Sequence, residues 1–456
     1  MKKWIACLLL FVCAAVLAQA KTAKNVIWVI ADGMGPGSMG LLMEVVRNTD
    51  LAAYPDKTSH LEKLIGESEL GVYFNNTHDT VVTDSACAAT QMACGVKSRP
   101  DFIGQDFNGQ NAESVMELAR KNGKAVGVIS DAYVTDATPA GFLAHTRSRK
   151  NKYDIARQMI AAEPQVIMGG GLKYFTQGEN KKLLKEAKKE GYRIATDAKE
   201  LAKIKKGKIL GLFADEAMPF YVEKDLYPQT PTLLDMTKKA VEVMSHNEDG
   251  FFLMVEAGKV DWALHDNELG ATLYEMLNLD ETLAYVYEFA KQNGDTLVYL
   301  NADHETGVPA FHYRHLDAET VQHKSAQGEM LYGGNTDYVS YSAFDRLLKQ
   351  KRMLYYMEKE FKALPKEQQT LEKLQTLVDE SLGYHVDISK FENPFNYASL
   401  IKQINEQEGI VWATGSHSSG MLLSVTYGGF GDFGGVYHNT DLKDKFIRAA
   451  GLEQKD

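Results

Sequence analysis

Three short motifs carry side chains suited to binding a divalent cation through imidazole and carboxylate. Asp261 and His265 are four residues apart, and a helix would bring both to one face, where they could converge on one ion. Asp303-His304 directly follows an apolar run, and His417 lies among glycines and serines that leave its ring unobstructed. Taken singly, each motif is also compatible with an ordinary surface pair or loop histidine.

Three further acidic residues could supply oxygen ligands. Asp32 follows an apolar run and precedes Gly33 and Gly35, which would let the backbone turn tightly beside a bulky ion. Glu256 ends another apolar run, and Asp136 lies in a Thr-Asp-Ala-Thr-Pro-Ala segment. An aspartate in such a place is often only a turn or cap residue. The glycine pair does not indicate a dinucleotide site, because the full spacing and a later ribose-binding acid are missing.

Ser85 is the candidate nucleophile. It opens a run of small residues that predicts a helix, whose N-terminal amides would stabilise both an ionised serine oxygen and a bound phosphate. The alternative is that Asp84 or Ser85 merely caps this helix. No Gly-x-Ser-x-Gly motif surrounds the serine, which argues against an acyl-transfer triad. Arg149 could grip a tetrahedral phosphate with two N–H groups, although its basic neighbours are also compatible with a solvated surface.

The elements that must position these residues alternate between strand and helix. Apolar, β-branched runs recur along the chain, each followed by a turn and a stretch of helical periodicity. Such runs predict strands buried on both faces, and hence a doubly wound, mostly parallel sheet between two helical layers, an αβα sandwich of the α/β class. The predicted strands are 25–31, 125–130, 165–168, 251–255, 296–300 and 421–425.

Two charged segments interrupt the strand–helix pattern. Residues near 173–208 and 341–408 are predicted to form helical insertions within one catalytic domain spanning residues 21–456. The second segment is also rich in aromatic residues. The insertions are compatible with peripheral decoration or with a lid that narrows access to the site.

All of the candidate motifs fall beside predicted strand ends, which is where doubly wound sheets place their sites. Together they offer five carboxylates, three imidazoles, a helix-opening serine and an arginine. So many carboxylates in one cleft would repel one another strongly unless cations neutralised them. The sequence therefore predicts a site that holds several metal ions.

The composition narrows the classes of function. The chain has 456 residues, of which 45% are apolar and 24% charged, as in ordinary globular proteins. A net charge of -11 without a basic stripe argues against nucleic-acid binding, because a polyanion would be repelled. Cys87 and Cys94 lie two helical turns apart, about 10 Å between Cα atoms, so we expect free thiols rather than a disulfide.

The N-terminus predicts an export signal in residues 1–20. Two lysines precede the apolar run 4–17, and a small-x-small cleavage pattern follows at 18–20. The alternative is a lipoprotein anchored through Cys13, but Val12 is bulkier than the residue normally found before a lipidated cysteine. No other stretch approaches the ~20 apolar residues that span a bilayer. We therefore expect a periplasmic or secreted protein.

The motifs resemble those of the alkaline phosphatase family in type and order. The sequence Val-Thr-Asp-Ser-Ala at 82–86 is similar to the family's nucleophile signature. The Asp-Gly-Met-Gly, Asp-Ala-Thr-Pro-Ala, Val-Glu-x-Gly-x-x-Asp-x-x-x-His and Ala-Asp-His elements also occur here in the family's order. The match runs from about Asn25 to Asp441 and leaves the two predicted insertions uncovered.

The resemblance implies two zinc ions, one magnesium ion and a phosphate clamp. The implied zinc ligands are Asp261, His265 and His417 in one site, and Asp32, Asp303 and His304, beside Ser85, in the other. The implied magnesium ligands are Asp32, Thr138 and Glu256, with Asp136 near the waters of that ion. The implied phosphate clamp is Arg149. Imidazole and carboxylate suit zinc, whereas an all-oxygen set suits magnesium.

The implied reaction is hydrolysis of phosphate monoesters through a phosphoserine at Ser85. Inorganic phosphate would be both product and inhibitor, and a homodimer is expected by analogy alone. Some relatives carry Lys or His where this chain has Trp262, which cannot supply their positive charge. The alternatives are a phosphodiesterase of the same superfamily and a non-catalytic exported protein that binds metal or phosphate.

Overall fold

A ten-stranded sheet runs through the described part of the chain, residues 21–315, 321–324 and 330–454 of a computed structural model. In chain order its strands are β1 (Asn25–Ala31), β2 (Glu69–Phe74), β3 (Ala125–Tyr133), β4 (Val166–Gly170), β5 (Tyr192–Ala195), β6 (Lys208–Leu212), β7 (Phe251–Ala257), β8 (Thr296–Asn301), β9 (Leu422–Tyr427) and β10 (Gly435–His438). Their order across the sheet is β10-β2-β9-β8-β1-β7-β3-β4-β6-β5. Neighbouring strands are parallel except where β9 pairs with β2 and β8.

Helices cover both faces of this sheet, which confirms the predicted α/β sandwich. In the described ranges the α-helices are α1 (Pro36–Asn48), α2 (His60–Gly66), α3 (Ser85–Cys94), α4 (Val115–Lys121), α5 (Ala137–Leu143), α6 (Lys152–Ala161), α7 (Leu172–Thr176), α8 (Leu183–Lys189), α9 (Ala198–Lys203), α10 (Leu233–Met244), α11 (Lys259–His265), α12 (Leu269–Asn293), α13 (Ser342–Leu347), α14 (Leu354–Ala363), α15 (Leu371–Leu382), α16 (Tyr397–Gln407) and α17 (Leu442–Ala450). Among these helices, none combines the length and the apolar character that crossing a membrane requires. The predicted signal peptide and the lipidation alternative at Cys13 lie outside the described residues.

Four two-stranded ladders lie outside the large sheet. They pair Glu305–Thr306 with His417–Ser418, Pro309–Phe311 with Ile410–Trp412, Arg314–His315 with Thr336–Asp337, and Val321–Lys324 with Met330–Gly334. The first ladder ties a segment near the C-terminus to the loop that follows β8. It therefore helps to assemble the site described below.

Strand β1 shows why uninterrupted apolar runs form the centre of this sheet. All seven of its residues are buried. Ile27 and Val29 pack into the core on one face, whereas Trp28 and Ile30 pack into the core on the other. Side chains alternate across a strand, so a strand covered on both faces must be apolar at every position. All six predicted strands are present in the sheet.

The prediction that residues 173–208 form a helical insertion is wrong in part. The segment contains α7, α8 and α9, but it also contains β5, which pairs in parallel with β6 at the edge of the sheet. In β5 only Tyr192 and Ala195 are buried, so this edge strand lacks the apolar run that marks a central strand. The segment therefore extends the sheet rather than decorating it.

Residues 341–408, the second segment predicted to be an insertion, contain four α-helices. The segment comprises α13 to α16; α13 packs into one core of the sheet through Phe344 and Leu347, whereas α14, α15 and α16 pack around a separate apolar cluster. Leu354, Met357 and Phe361 on α14 and Leu377 on α15 belong to this cluster. Their helical spacing explains how a charge-rich segment still folds, because one face of each helix is apolar.

The C-terminal helix α17 is anchored by an aromatic contact. Phe446 stacks on Trp28 with ring centroids 4.1 Å apart and also contacts Phe252 and Tyr299. The ring is fully buried. This contact joins the last helix to the central strand β1.

We expect Phe446→Ala to lower the free energy of unfolding by about 3–5 kcal/mol, because the lost ring leaves a cavity in the core. Chemical denaturation measures this change. Arg448→Ala, on the exposed side of the same helix, is the control and should change stability by no more than about 0.5 kcal/mol. Equal stability of the two variants would contradict the assigned anchor.

His145, in the loop between α5 and Arg149, has a structural partner. Its Nε2 lies 3.0 Å from Glu117 Oε1, and its Nδ1 lies 2.7 Å from the carbonyl oxygen of Gly104. The hydrogen bond with Glu117 raises the pKa of His145. Glu117 also accepts the Ser114 N–H in the capping box of α4, so the pair links this loop to a helix start.

We expect Glu117→Gln to destabilise the protein more at about pH 6 than at about pH 8.5. A raised histidine pKa contributes stability that is fully present below the unfolded-state value, about 6.5, and is lost as the pH rises through the folded-state value. Glu117, whose pKa is lowered, stays ionised at both pH values. Glutamine preserves the capping box. Urea unfolding at both values is the measurement, and an equal loss at each would argue against the ion pair.

Candidate metal centre

The centre of the sheet brings three of the predicted motifs together. Strand β1 lies between β7 and β8, with Ile30 opposite Glu256 on one side and opposite Asn301 on the other. Asp32 follows the end of β1, and Asp303 follows the end of β8. Parallel strands end at the same edge, so these acidic residues converge at the carboxyl edge of the sheet.

Gly33 permits a close approach at this edge. Its φ is +72°, a left-handed conformation that residues with a Cβ rarely adopt. A Cβ atom there would also lie 2.7 Å from Asp261 Oδ1 and 2.9 Å from Thr306 Oγ1. The Gly33 N–H donates to Asp303 Oδ1 at 3.2 Å. The glycine thus lets the loop after β1 pack directly against two acidic residues.

One group of side chains surrounds the hydroxyl of Ser85. His304 Nε2 lies 3.1 Å from Asp303 Oδ2, 3.5 Å from Asp32 Oδ1 and 3.1 Å from Ser85 Oγ. The ligand atoms of Asp32, Asp303 and His304 all lie within 4.8 Å of one another, close enough to hold one metal ion. All four side chains are buried.

A second group adjoins the first. Asp261 and His265 lie on one face of α11, with Asp261 Oδ2 3.4 Å from His265 Nε2, as their spacing predicts. His417 Nε2 lies 3.1 Å from His265 Nε2 and 4.0 Å from Asp261 Oδ1. The His417 ring also stacks on His304, with ring centroids 3.5 Å apart. Asp261, His304 and His417 again offer ligand atoms within 4.8 Å of one another.

The orientation of two histidines fits a cation between them. Nδ1 of His265 faces the carbonyl oxygen of Gly415, and Nδ1 of His417 faces that of Thr83, each at 2.8 Å. A carbonyl only accepts, so each Nδ1 is the donor, and in the neutral ring Nε2 presents a lone pair. Two lone pairs 3.1 Å apart repel unless a proton or a metal ion lies between them.

The buried carboxylates also indicate a bound cation. Burial and the charges of Asp303 and Asp261 raise the pKa of Asp32 well above its usual range. Asp32 Oδ1 and Asp303 Oδ2 are buried and lack a hydrogen bond within the described residues. Buried carboxylate oxygens without a hydrogen bond are costly, and a divalent cation bound to both atoms would offset that cost. The donor set therefore fits metal ions.

The oxygen set predicted for magnesium lies beside the first group. Burial raises the pKa of Glu256 to about 8, and the carboxylates of Glu256 and Asp32 are close enough to influence each other's charge. Glu256 Oε2 and Thr138 Oγ1 are both buried, and neither makes a hydrogen bond of normal geometry within the described residues. Three oxygen side chains in need of a partner suit a hard cation such as magnesium.

Ser85 and Arg149 face one cavity. Helix α3 begins at Ser85, as predicted, and the Asp84 side chain caps it by accepting the Cys87 N–H at 3.0 Å. Ser85 and Arg149 line a cavity of about 690 Å³, together with Asp136 and members of the second metal group. The N-terminus of α3 adds positive potential at Ser85, which favours an anion there.

Acidic neighbours hold Arg149 in place. Its guanidinium lies 3.4 Å from Asp84 Oδ2 and 3.3 Å from Asp136 Oδ1. Lys152 Nζ lies 3.0 Å from the same Asp136 oxygen. Burial alone would raise the pKa of Asp136, but Lys152 and Arg149 reverse this and lower it. Asp136 is therefore held as a carboxylate between two cations.

Sequence reasoning missed three supporting residues. Lys152 was not among the candidate residues, and the fold places its ammonium beside Asp136. Asp131 accepts the N–H groups of Gly258 and Lys259 at 2.7 and 3.1 Å and so fixes the start of α11. Thr306 donates its hydroxyl to Asp261 at 2.5 Å. The one signal available for Thr306 was its position two residues after His304.

Cys87, Cys94 and Trp262 do not belong to either group of candidate metal ligands. The two cysteines are buried free thiols, as predicted. Trp262 lines the cavity beside Asp261. Lys259 is buried and places its ammonium 4.1 Å from the centroid of the Trp262 ring.

Comparisons with known proteins agree with this geometry. A family model described as alkaline phosphatase matches residues 23–369. Alkaline phosphatase 3 of Bacillus subtilis is 30% identical over 435 residues, which cover 93% of this chain and 88% of the relative. Alkaline phosphatase 4 of the same organism is 37% identical over 290 residues, covering 62% of each. The crystal structure of a cold-active alkaline phosphatase from Shewanella sp. has a TM-score of 0.76 and 26% identity, covering 93% of this chain and 99% of that one. The chain therefore belongs to the alkaline phosphatase family, whose reaction is the hydrolysis of phosphate monoesters.

Proposed function

We propose that this enzyme hydrolyses phosphate monoesters through a phosphoserine at Ser85. The observation that carries the proposal is the position of Ser85 Oγ, 3.1 Å from His304 Nε2, where the first metal group meets a cavity that Arg149 also lines. An alcohol surrounded by cation ligands at a helix N-terminus is suited to attack on phosphorus. The alcohol of the ester leaves as the Ser85–phosphorus bond forms, and water then hydrolyses the phosphoserine to inorganic phosphate.

The ligand sets support two zinc ions and one magnesium ion. Asp261, His265 and His417 would hold one zinc, and Asp32, Asp303 and His304, with Ser85, the other. Asp32, Thr138 and Glu256 would hold magnesium, with Asp136 near its waters. When bound, such ions lower the pKa of an adjacent hydroxyl and neutralise charge that develops on phosphoryl oxygens. Imidazole nitrogen favours zinc, and the all-oxygen set favours magnesium.

Arg149 would hold the phosphoryl group in this scheme. Its two terminal nitrogens already contact Asp84 and Asp136, which fix the direction of the guanidinium. A planar guanidinium can donate two parallel N–H bonds to two phosphoryl oxygens. Asp84 also caps α3, so one carboxylate positions both the clamp and the helix that carries the nucleophile.

A phosphodiesterase is the closest alternative. Arg149 and the proposed magnesium set favour a dianionic monoester, because a diester has one fewer charged oxygen. Comparing kcat/KM for an aryl monophosphate with that for its diester distinguishes the two, and a faster diester reaction would overturn the monoesterase proposal. A non-catalytic metal- or phosphate-binding protein would bind zinc without turnover.

Export, inhibition and assembly are further parts of the proposal. The N-terminal segment supports a periplasmic or secreted enzyme, and cleavage near residue 20 in the mature protein would test it. Inorganic phosphate, as product, would compete with substrate at Arg149. A homodimer rests on analogy with relatives and is tested by the mass of the protein in solution.

We expect Ser85→Ala to lower kcat by roughly 10³-fold or more, because the covalent route needs this hydroxyl. The Ser85→Ala variant should still bind zinc, since its proposed histidine and aspartate ligands are unchanged. Cys94→Ala removes one buried atom from the same helix and is the control, with near-normal turnover. Normal turnover by metal-replete Ser85→Ala would refute the assigned nucleophile.

We expect chelation to abolish activity and zinc together with magnesium to restore it. The proposed sites predict about three ions per chain, two of them zinc. Elemental analysis of the active protein, paired with turnover before and after dialysis against chelator, measures both quantities. Full activity in metal-free protein would contradict the proposal.

A further inference from the structure

The cavity at Ser85 is much larger than a phosphoryl group requires. Its volume is about 690 Å³, which lies within the ordinary range for pockets that hold drug-sized molecules. Ser85, Arg149 and members of the second metal group are among its lining residues. The volume beyond what a phosphoryl group fills can accept the alcohol portion of an ester, so the other lining side chains decide which alcohols fit.

Four partly buried lining residues, Tyr133, Trp262, Tyr355 and Tyr356, form what we call the aromatic wall, and the buried Phe220 also lines the cavity. Tyr133 and Trp262 have ring centroids 5.8 Å apart, and Tyr355 and Tyr356 have centroids 5.7 Å apart. All four are only partly buried, and lysine ammonium groups lie 4.1 Å from the Tyr355 ring centroid (Lys359) and 4.8 Å from that of Tyr133 (Lys152). The wall combines residues of the sheet domain with two residues of the inserted helix α14.

Contacts behind the wall hold its rings in position. Phe220 is buried, lies 5.9 Å from Tyr356 between ring centroids, and belongs to an apolar cluster that also contacts Trp262 and Tyr355. Lys259 places its ammonium 4.1 Å from the centroids of both Phe220 and Trp262. Rings supported from behind lose little conformational freedom when a ligand stacks on them.

The residues of helix α14 lie in two different environments, the apolar cluster of residues 354–404 and the cavity at Ser85. Leu354, Met357 and Phe361 face the apolar cluster of the insertion and account for its packing. Tyr355 and Tyr356 instead line the cavity, with Lys359 one turn further on. The insertion's own cluster therefore does not need these two tyrosine rings, whereas a ligand in the cavity would meet them.

We propose that the aromatic wall makes this enzyme selective for monoesters whose alcohol carries a flat aromatic ring, either a nucleobase or an aryl group on the ester oxygen. The inference rests on the proposed function, because it assumes that the phosphoryl group occupies the site at Ser85 and Arg149. Aromatic rings stack on one another with offset or edge-to-face geometry, and a base stacked on an aromatic side chain contributes measurably to affinity. Small aliphatic alcohols would leave the wall uncontacted.

The decisive comparison uses adenosine 5′-monophosphate and ribose 5-phosphate, which share one ester linkage and differ in the base. We expect kcat/KM of the metal-replete enzyme to favour the nucleotide by about tenfold. Tyr355→Leu and Tyr356→Leu should each reduce this preference several-fold while turnover of ribose 5-phosphate changes little. Tyr341→Leu, which alters an exposed tyrosine outside the cavity, is the control and should retain the full preference.

A binding measurement distinguishes esters that carry a nucleobase from esters that carry an aryl group. Phenylphosphonate and methylphosphonate cannot be hydrolysed and differ in a ring placed next to phosphorus. Tighter inhibition by phenylphosphonate that is lost in Tyr355→Leu or Tyr356→Leu, without a nucleotide preference, would assign the wall to aryl esters. Equal use of the nucleotide and ribose phosphate, combined with equal inhibition by the two phosphonates, would overturn the inference.

The experiments distinguish failure of the proposed phosphatase reaction from failure of the proposed ring selectivity. If metal-replete protein hydrolyses no monoester, the proposed function fails, and the phosphonates still report through direct calorimetric binding whether the wall holds a ring. If both tyrosine variants lose turnover of all substrates equally and unfold at lower temperature, the rings serve packing alone and the selectivity inference is wrong.

Discussion

Mutual repulsion among buried acids is the constraint on which this site depends. Asp32, Asp303 and Asp261 are all buried, the ligand oxygens of Asp32 and Asp303 lie within 4.8 Å of each other, and burial together with the charges of Asp303 and Asp261 raises the pKa of Asp32. Two histidine nitrogens also present lone pairs to each other. Such an arrangement costs free energy that the rest of the fold must offset, unless divalent cations neutralise it. The apolar cores on both faces of the sheet provide the rigidity that holds these groups together.

Residues around the candidate metal ligands fix the position and orientation of those ligands. Gly33 allows a backbone approach that any Cβ would block, and Asp131 fixes the first turn of α11 through two N–H groups. Backbone carbonyls orient the rings of His265 and His417 so that each Nε2 faces the site. Supporting contacts of this kind set the direction and the protonation of a ligand, and thereby its affinity for metal.

The helices of residues 341–408 contribute to the cavity at Ser85 as well as to their own packing. Tyr355 and Tyr356 lie on α14, which also supplies residues to a separate apolar cluster, and both tyrosines line the same cavity as Ser85 and Arg149. The candidate metal ligands and this part of the cavity lining therefore come from separate segments of the chain.

The amino-acid sequence by itself determined the central strands, the start of α3 at Ser85 and the pairing of Asp261 with His265, because each depends on periodicity or caps within a short stretch. It missed β2, β5, β6 and β10, which occupy the two outermost positions at each edge of the sheet, where strands are shorter or more exposed. Only the tertiary structure decided that His417 meets His304, through a two-residue ladder between distant segments. It alone placed Lys152 beside Asp136 and brought Tyr355 and Tyr356 into the cavity that Ser85 lines, since such arrangements arise from packing between elements rather than from any pattern along the chain.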